Sequence, residues 1–279
     1  MNLRELKRIL SENKIYPSKL RGQNFLIDNN VLDKIEKAAD LDKKDNILEI
    51  GPGFGALTER LTNSGANVLA VELDKFLYNY LAEKFKNKKN LKIINKDILK
   101  LSETEIIKKL SNKYRIIANL PYSITGAVLR KFLESDSPPE QILVMIQKEV
   151  GERILAKPGQ MNLLALCVQF YGQPKILFKV KKTSFYPVPK VDSVILQISQ
   201  IGKNKIELDE KKFWGIVRAG FSLKRKKLIG NLVKAGIADK SKLEQIFSKI
   251  GVKESVRAQE LSLRGWVELC KDVNSKTGF

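Results

Sequence analysis

No histidine occurs anywhere in the 279 residues. That excludes Ser-His-Asp and Cys-His nucleophilic centres, His-ligated zinc and any imidazole base. Whatever chemistry occurs here is expected to proceed without a group titrating near neutrality. Cysteine is nearly as scarce. Cys167 and Cys270 stand far apart in apolar or helical surroundings. They form neither metal nor redox spacing and read as packing residues of a cytoplasmic protein. No metal site is expected. Apolar runs are short: the longest, Leu163-Leu164-Ala165-Leu166-Cys167-Val168, falls well below the roughly 20 residues of a membrane span. The stretch from Met1 to Lys14 has no apolar signal-peptide core. It mixes charge with Leu and Ile at helical spacing and reads as a short amphipathic helix.

Acidic residues are outnumbered, 31 against 51 Lys and Arg, for a net charge of +20. A general lysine bias accounts for part of this, but the charge is also clustered. Residues 171–190 hold five lysines and no acid, and residues 203–234 hold ten Lys or Arg against three acids. Such a field attracts a polyanion and releases its counterions on binding, which points to nucleic acid. With 43% hydrophobic and 29% charged residues, the chain reads as globular rather than disordered.

From about residue 45, short β-rich runs alternate with amphipathic helical stretches, the pattern of an α/β sheet. Expected strands are Asn46–Ile50, Asn67–Leu73, Lys92–Asp97, Arg115–Leu120 and Ile142–Ile146. Lys175–Lys182 and Ser193–Ser199, flanking a Pro-rich turn, read as an antiparallel hairpin. Helices are expected at Leu57–Asn63, Lys75–Phe85, Glu103–Leu110, Ala127–Leu133 and Glu149–Leu155. After Ile201-Gly202 strand patterns cease, and helical segments follow at Glu210–Ala219, Lys226–Val233, Ser241–Ile250 and Leu263–Val273. The expectation is an α/β domain over 1–200 and a small all-helical domain over 201–279.

A strand running into Gly51-Pro52-Gly53-Phe54-Gly55 and then a helix marks a loop that a ligand approaches closely. Its G-x-G-x-G spacing is not the G-x-G-x-x-G of dinucleotide folds. Acids stand at successive strand ends: Glu49 just before the loop, Glu72 closing the next strand, and Asp97 closing the one after. A carboxylate at Glu72 suits a ribose diol, and Asp97 suits an adenine amine. Acid beside the loop favours a cation over a phosphate. S-adenosylmethionine fits, having a sulfonium, a ribose and an adenine but no phosphate.

Asn119-Leu120-Pro121-Tyr122 follows the apolar run Arg115-Ile116-Ile117-Ala118. An amide, a proline-stiffened turn and a ring at a strand end suit an exocyclic amine such as adenine N6. The Asn119 oxygen accepts one N–H, a carbonyl of the Leu120-Pro121 turn accepts the other, and Tyr122 stacks on the base. A plain turn is the other reading of these four residues, and the upstream loop is what argues against it.

The assembled motifs resemble the ribosomal small-subunit RNA adenine dimethyltransferases, relatives of the macrolide-resistance methyltransferases. The resemblance runs from about Lys19 to Leu269. Its motifs are Gly22-Gln23-Asn24-Phe25-Leu26, Glu49 to Gly55, Glu72, Asp97, Asn119 to Tyr122, and Phe185-Tyr186-Pro187-Val188-Pro189-Lys190-Val191-Asp192-Ser193. It implies a Rossmann-like S-adenosylmethionine-dependent methyltransferase sheet. It also implies cofactor contacts from Gln23, Asn24, Leu26, Gly51, Gly53, Gly55, Glu72, Asp97 and Asn119. Asn119, Leu120, Pro121 and Tyr122 become the catalytic motif, with Phe185 facing Tyr122 across the target base. Phe221 to Leu228 looks like the family's basic helix, so Lys224, Arg225, Lys226 and Lys227, with Lys181 and Lys182, are expected to hold RNA phosphates. After Lys157-Pro158-Gly159 the chain departs from the family, running through Gln160-Met161-Asn162 without the usual Tyr-Gly pair. The expected activity is dimethylation of two adjacent adenosines near the 3′ end of small-subunit rRNA, by a monomer acting on immature small subunits. Two alternatives remain: a large-subunit rRNA or DNA adenine-N6 methyltransferase, and a ribosome-assembly factor whose methylation is secondary. DNA enzymes more often carry a second proline in place of Leu120.

Overall fold

A sheet covered on both faces needs nearly uninterrupted apolar strands, and the middle of this chain supplies them. The computed structural model describes residues 3–13, 17, 23–202 and 208–274. It divides into two compact units, residues 1–151 with 172–203, and residues 152–171 with 204–279.

The first unit opens with α1 (Leu3–Glu12), β1 (Phe25–Leu26) and α2 (Asn29–Ala39). Alternation then sets in: β2 (Asn46–Ile50), α3 (Ala56–Asn63), β3 (Asn67–Glu72), α4 (Lys75–Lys84), β4 (Leu91–Asn95), α5 (Glu103–Ile107), β5 (Arg115–Asn119), α6 (Thr125–Leu133) and β6 (Gln141–Gln147). The dividing line falls inside α7 (Lys148–Ile154), and α8 (Leu163–Tyr171) belongs to the second unit. The chain returns to the first unit with β7 (Gln173–Val180), β8 (Phe185–Tyr186) and β9 (Ser193–Ser199).

Seven strands line up as β4-β3-β2-β5-β6-β9-β7. The first five are parallel, β9 runs antiparallel to β6, and β7 pairs antiparallel with β9. Interior strands β2, β5 and β6 bury almost every residue, whereas edge strand β7 turns Lys175 and Lys179 outward and carries Pro174. Charge and proline on an edge discourage further strand addition. Helix starts are set by side chains that satisfy orphan amides. Asp28 accepts from Asn30 N, Asp74 accepts from Phe76 N and Leu77 N, and Ser102 with Glu105 forms a capping box.

Two further features position the site. Strands β1 and β8 pair antiparallel, Phe25 opposite Tyr186 and Leu26 opposite Phe185, so two motifs far apart in sequence become neighbours. Helix α1 buries Leu6, Ile9 and Leu10 in a cluster with Phe54 and Leu77, and Phe25, Tyr80 and Tyr186 pack against it.

The second unit is helical: α8, α9 (Glu210–Gly220), α10 (Leu228–Lys234), α11 (Lys240–Lys249) and α12 (Leu263–Asn274). Its core holds Phe170, Phe213, Phe247 and Trp266. Both cysteines are buried there, and burial pushes the Cys270 thiol up to about 12. The boundary expected near residue 200 falls at 203/204, and Glu152–Tyr171 groups with the tail rather than with the sheet. Helix α8 is apolar nearly all round, with Ala165, Leu166, Cys167, Val168 and Phe170 all buried, as a helix enclosed by others requires. Among the described residues, no helix is long and apolar enough to cross a membrane.

Candidate active site

Strand order reverses between β2 and β5, and open parallel sheets bind ligands at such a point, beyond the carboxyl ends of the strands. A cavity of about 340 Å³ lies there. Its lining brings together Gln23, Asn24, Leu26, Glu49, Gly51, Gly53, Glu72, Asp97, Asn119, Leu120, Pro121 and Tyr122. Gly55 sits just behind, at the start of α3. Gly22 lies outside the described residues.

The loop after β2 needs its glycines for two reasons. Gly51 and Gly53 hold φ of +67° and +60°, a left-handed conformation that side chains disfavour. A Cβ on Gly51 would lie 3.4 Å from the Pro121 ring, and one on Gly53 would lie 3.1 Å from Phe25. The glycine loop thus touches both the Asn119–Tyr122 turn and the β1 segment. Glu72 fastens it from β3: Oε2 accepts from Gly53 N at 3.1 Å and Oε1 from Asp74 N at 2.8 Å. Phe54 is wedged edge-on between Phe25 (4.7 Å) and Tyr80 (5.3 Å).

Glu49 is 1% exposed, and among the described residues its Oε2 has no hydrogen-bond partner. Burial pushes its carboxyl up to about 8; the Thr58 hydroxyl offsets part of this and the nearby Glu72 charge adds to it. Glu72 is raised as well, chiefly by burial and against the pull of the Asp74 and Gly53 amides. The absence of histidine therefore does not leave the chain without a group near neutrality. Desolvation makes one out of a carboxyl.

At the end of β5, the Asn119 side-chain nitrogen donates to Asn24 O at 3.3 Å. That commits the donor end of the amide to the protein and leaves Oδ1 as its acceptor end. Pro121 O already accepts from Ile124 N (3.1 Å) and from Thr125 Oγ1 (3.4 Å). Of the two turn carbonyls, Leu120 O is the better placed to take a ligand N–H, its own amide being anchored on Met145 O at 3.2 Å. The Tyr122 hydroxyl meets Ser193 Oγ at 2.9 Å, and burial raises its pKa. Asp97 Oδ1 accepts from Leu99 N at 2.9 Å, a local turn that fixes the carboxylate.

Two expectations need correcting. Phe185 is not among the residues that line the cavity: it is 1% exposed and packs in the sheet core with Leu26, Val180 and Ile195. Its place opposite Leu26 on the short β1–β8 ribbon turns the ring inward. The run Phe221–Lys227 is not helical. Helix α9 stops at Gly220 and α10 starts at Leu228, so Lys224, Arg225, Lys226 and Lys227 form an exposed loop. Four adjacent cations repel in a helix turn, and buried Asn231 holds the loop instead by donating to Gly220 O (2.7 Å) and Leu223 O (3.2 Å). Lys181 and Lys182 are exposed, as phosphate contacts require.

Sequence reasoning missed several cavity residues: Phe25, Leu73, Asp74, Ile98, Leu99 and Ser123. Leu73, 62% exposed, is the most telling. A leucine left open beside a cavity-lining carboxyl offers a flat ring an apolar wall, and its sequence signal is its position directly after Glu72.

A model of the ribosomal RNA adenine dimethylase family matches residues 18–274. The chain belongs to that family. Ribosomal RNA small subunit methyltransferase A of Dehalococcoides mccartyi is 44% identical over 250 residues, 89% of this chain and 86% of the relative. The protein of the same name from Streptococcus equi subsp. zooepidemicus is 41% identical, covering 89% of each chain. That from Clostridioides difficile is 35% identical over 97% of this chain and 95% of its own. The fold also matches the crystal structures of a dimethyladenosine transferase from Plasmodium falciparum and of the 23S rRNA methyltransferase ErmE. The first has a TM-score of 0.75 at 23% identity, over 88% of this chain and 95% of that one; the second has 0.70 at 23%, over 90% and 100%.

The adenine dimethylase family takes its methyl from S-adenosylmethionine, and the cavity residues fit that donor. Glu49, buried beside the loop with one carboxyl oxygen unpartnered among the described residues, suits a cation, which would draw out its ionised form. Glu72 presents carboxylate oxygens at the end of β3, and Leu73, Ile98 and Leu99 supply apolar walls beside Asp97.

Proposed function

We propose that this adenine dimethylase places two methyl groups on N6 of each of two adjacent adenosines near the 3′ end of small-subunit rRNA. The observation that carries the reading is the anchored Asn119 amide, whose nitrogen is held by Asn24 O. Adenine N6 is a poor nucleophile because its lone pair is delocalised into the ring. Asn119 Oδ1 and Leu120 O would accept its two N–H bonds and favour a more pyramidal nitrogen. They would also stabilise the positive charge that grows as the methyl arrives. S-adenosylmethionine supplies the electrophilic methyl when bound. Gly51, Glu72 and Asp97 would orient that donor so that transfer is direct and in line. After transfer the N6 proton leaves to water, so no tuned base is needed at the nitrogen.

Extruding a stacked adenine costs a few kcal/mol. Stacking on one ring returns about 1–3 kcal/mol, so Tyr122 alone would offset part of the cost. In this reading the sheet unit within residues 1–200 carries catalysis, and residues 201–279, with which Glu152–Tyr171 groups, bind RNA. Exposed Lys181, Lys182, Lys224, Arg225, Lys226 and Lys227 hold phosphates without reading bases. The substrate would be the immature small subunit, met by a monomer in the cytoplasm.

The test is incubation with unmethylated small subunits and isotopically labelled donor, followed by mass spectrometry of rRNA nucleosides. Dimethyladenosine at two neighbouring positions is expected. Its absence at both low and moderate salt rejects the reading. Naked large-subunit RNA and duplex DNA serve as competing substrates, and preferential methylation of either moves the assignment there. Rescue of a deletion strain by Asn119→Ala, with no methyl mark, would assign the growth phenotype to assembly rather than catalysis.

A further inference from the structure

Tyr122 and Ser193 meet across a strand that neither belongs to. Tyr122 lies three residues beyond the end of β5, and Ser193 is the first residue of β9. Between these strands runs β6, in register with Asn119 opposite Met145 on one side and Ser193 opposite Gln147 on the other. The 2.9 Å contact from Tyr122 Oη to Ser193 Oγ therefore carries the tyrosine side chain over the carboxyl end of β6. Two strand spacings, roughly 9–10 Å, are bridged. Ser193 is wholly buried, while Tyr122 keeps part of its surface open and lines the cavity.

Ser193 itself is firmly placed. It pairs with Gln147 on one side and Val180 on the other. The residue before it is tied down as well: Asp192 O accepts from Lys148 N at 3.0 Å, and Asp192 Oδ1 accepts from Lys182 N at 2.9 Å. A tyrosine in a turn has two side-chain torsions to fix. Tethering the far end of the ring to a rigid strand fixes both when the chain folds, not when a base arrives. Phe185, buried in the core, supplies no second ring to hold the first one in place.

We propose that Ser193 is a positioning residue for methyl transfer, holding the Tyr122 ring across the end of β6 as a preformed platform for the extruded adenine. This rests on the reading of Tyr122 as the stacking surface. The hydroxyl touches neither base nor donor and acts only through the ring.

Four proteins test it: wild type, Ser193→Ala, Tyr122→Phe and the double variant. Ser193→Ala removes one oxygen from a strand whose backbone pairing with β6 and β7 is untouched, so folding is retained. Hα–Hβ couplings of selectively labelled Tyr122, with no RNA present, are expected to report a single χ1 rotamer in the wild type and averaging in Ser193→Ala. With unmethylated small subunits and saturating donor, Ser193→Ala is expected to slow single-turnover methylation about 3- to 10-fold, the loss expected when a side chain must be ordered at each encounter. Donor affinity by calorimetry stays unchanged, and the double variant matches Tyr122→Phe. Unaltered couplings, or losses that multiply in the double variant, overturn the proposal. A wild type whose ring is fixed but which methylates no small-subunit RNA counts against the substrate assignment and leaves the ring tether standing.

Discussion

The side-chain nitrogen of Asn119 donates to the main-chain carbonyl of Asn24, 3.3 Å away, joining the end of β5 to the segment that leads into β1. This bond decides which end of the amide a ligand meets. Asn119→Asp makes both ends acceptors and sets a carboxylate against the Asn24 carbonyl. Asn119→Ala removes the acceptor altogether. Removing one preorganised partner of developing charge typically costs about 10²–10³ in rate. Both variants are expected to lose that much in single-turnover methylation, with a loss of donor affinity below about tenfold. Rapid-quench assays and calorimetry on the same preparations check the split.

Gly53 is constrained twice, by a φ of +60° and by Phe25, 3.1 Å from where a Cβ would stand. A left-handed non-glycine residue costs roughly 1–2 kcal/mol. The added methyl also presses on Phe25, and its strain bears on the amide held by Glu72. Gly53→Ala is expected to lower the thermal midpoint by several degrees and weaken donor binding at least tenfold. Gly126→Ala, in helix α6 where a Cβ meets nothing within 4 Å, is the control and is expected to leave donor binding unchanged and not to lower the midpoint. Differential scanning calorimetry with and without donor separates the two effects.

Most of the sheet was legible because its strands are β-branched runs bounded by turns, and β2 and β9 match their expected limits. Helix α8 was not, since a helix enclosed on all sides has no polar face and hence no 3.6-residue signal. Helix α2 was overlooked although its signal was present: Asp28 as cap, then Val31, Leu32, Ile35 and Ala39 on the buried face. Within the site, residue types at strand ends located the cavity. Side-chain direction was beyond reach. The ring of Phe185 is turned inward by a two-residue ribbon, and a pairing of Phe25–Leu26 with Phe185–Tyr186 leaves no pattern long enough to read. The upward shift of Glu49 depends on what surrounds it in three dimensions, which residue spacing does not encode.

Glu49 makes stability depend on pH. In the unfolded chain a glutamate loses its proton near about 4.3, whereas in the folded chain it keeps it until about 8. Between those values the folded state binds more protons, so this carboxyl destabilises the fold progressively as pH rises through that window. Glu49→Gln is expected to stabilise the donor-free protein at pH 7.5 by more than at pH 5, read as the difference in midpoint from wild type at each pH. A bound cation favours the ionised form, so donor binding should release up to about one proton near pH 7. Calorimetry in buffers of different ionisation enthalpy measures that release, which Glu49→Gln should abolish.

Asn231 is the buried support of the basic loop. Its amide donates to Gly220 O and Leu223 O, either side of the turn that leads into Lys224–Lys227. Asn231→Ala leaves two carbonyls without that donor, at about 1–3 kcal/mol for a buried group, and releases the loop. Charge is unchanged, so the variant keeps the cations but not their placement. Neutralising Lys224, Arg225, Lys226 and Lys227 to Gln instead removes the counterion release itself. The two changes should therefore differ in salt dependence. Each lost phosphate contact lowers the slope of log K against log salt by about 0.7–0.9. Asn231→Ala is expected to weaken small-subunit binding about 3- to 10-fold with a slope close to wild type. The fourfold Gln variant is expected to flatten the slope by up to about 3 units. Filter binding across a salt series distinguishes them, and equal slopes in all three proteins would remove the loop from the RNA interface.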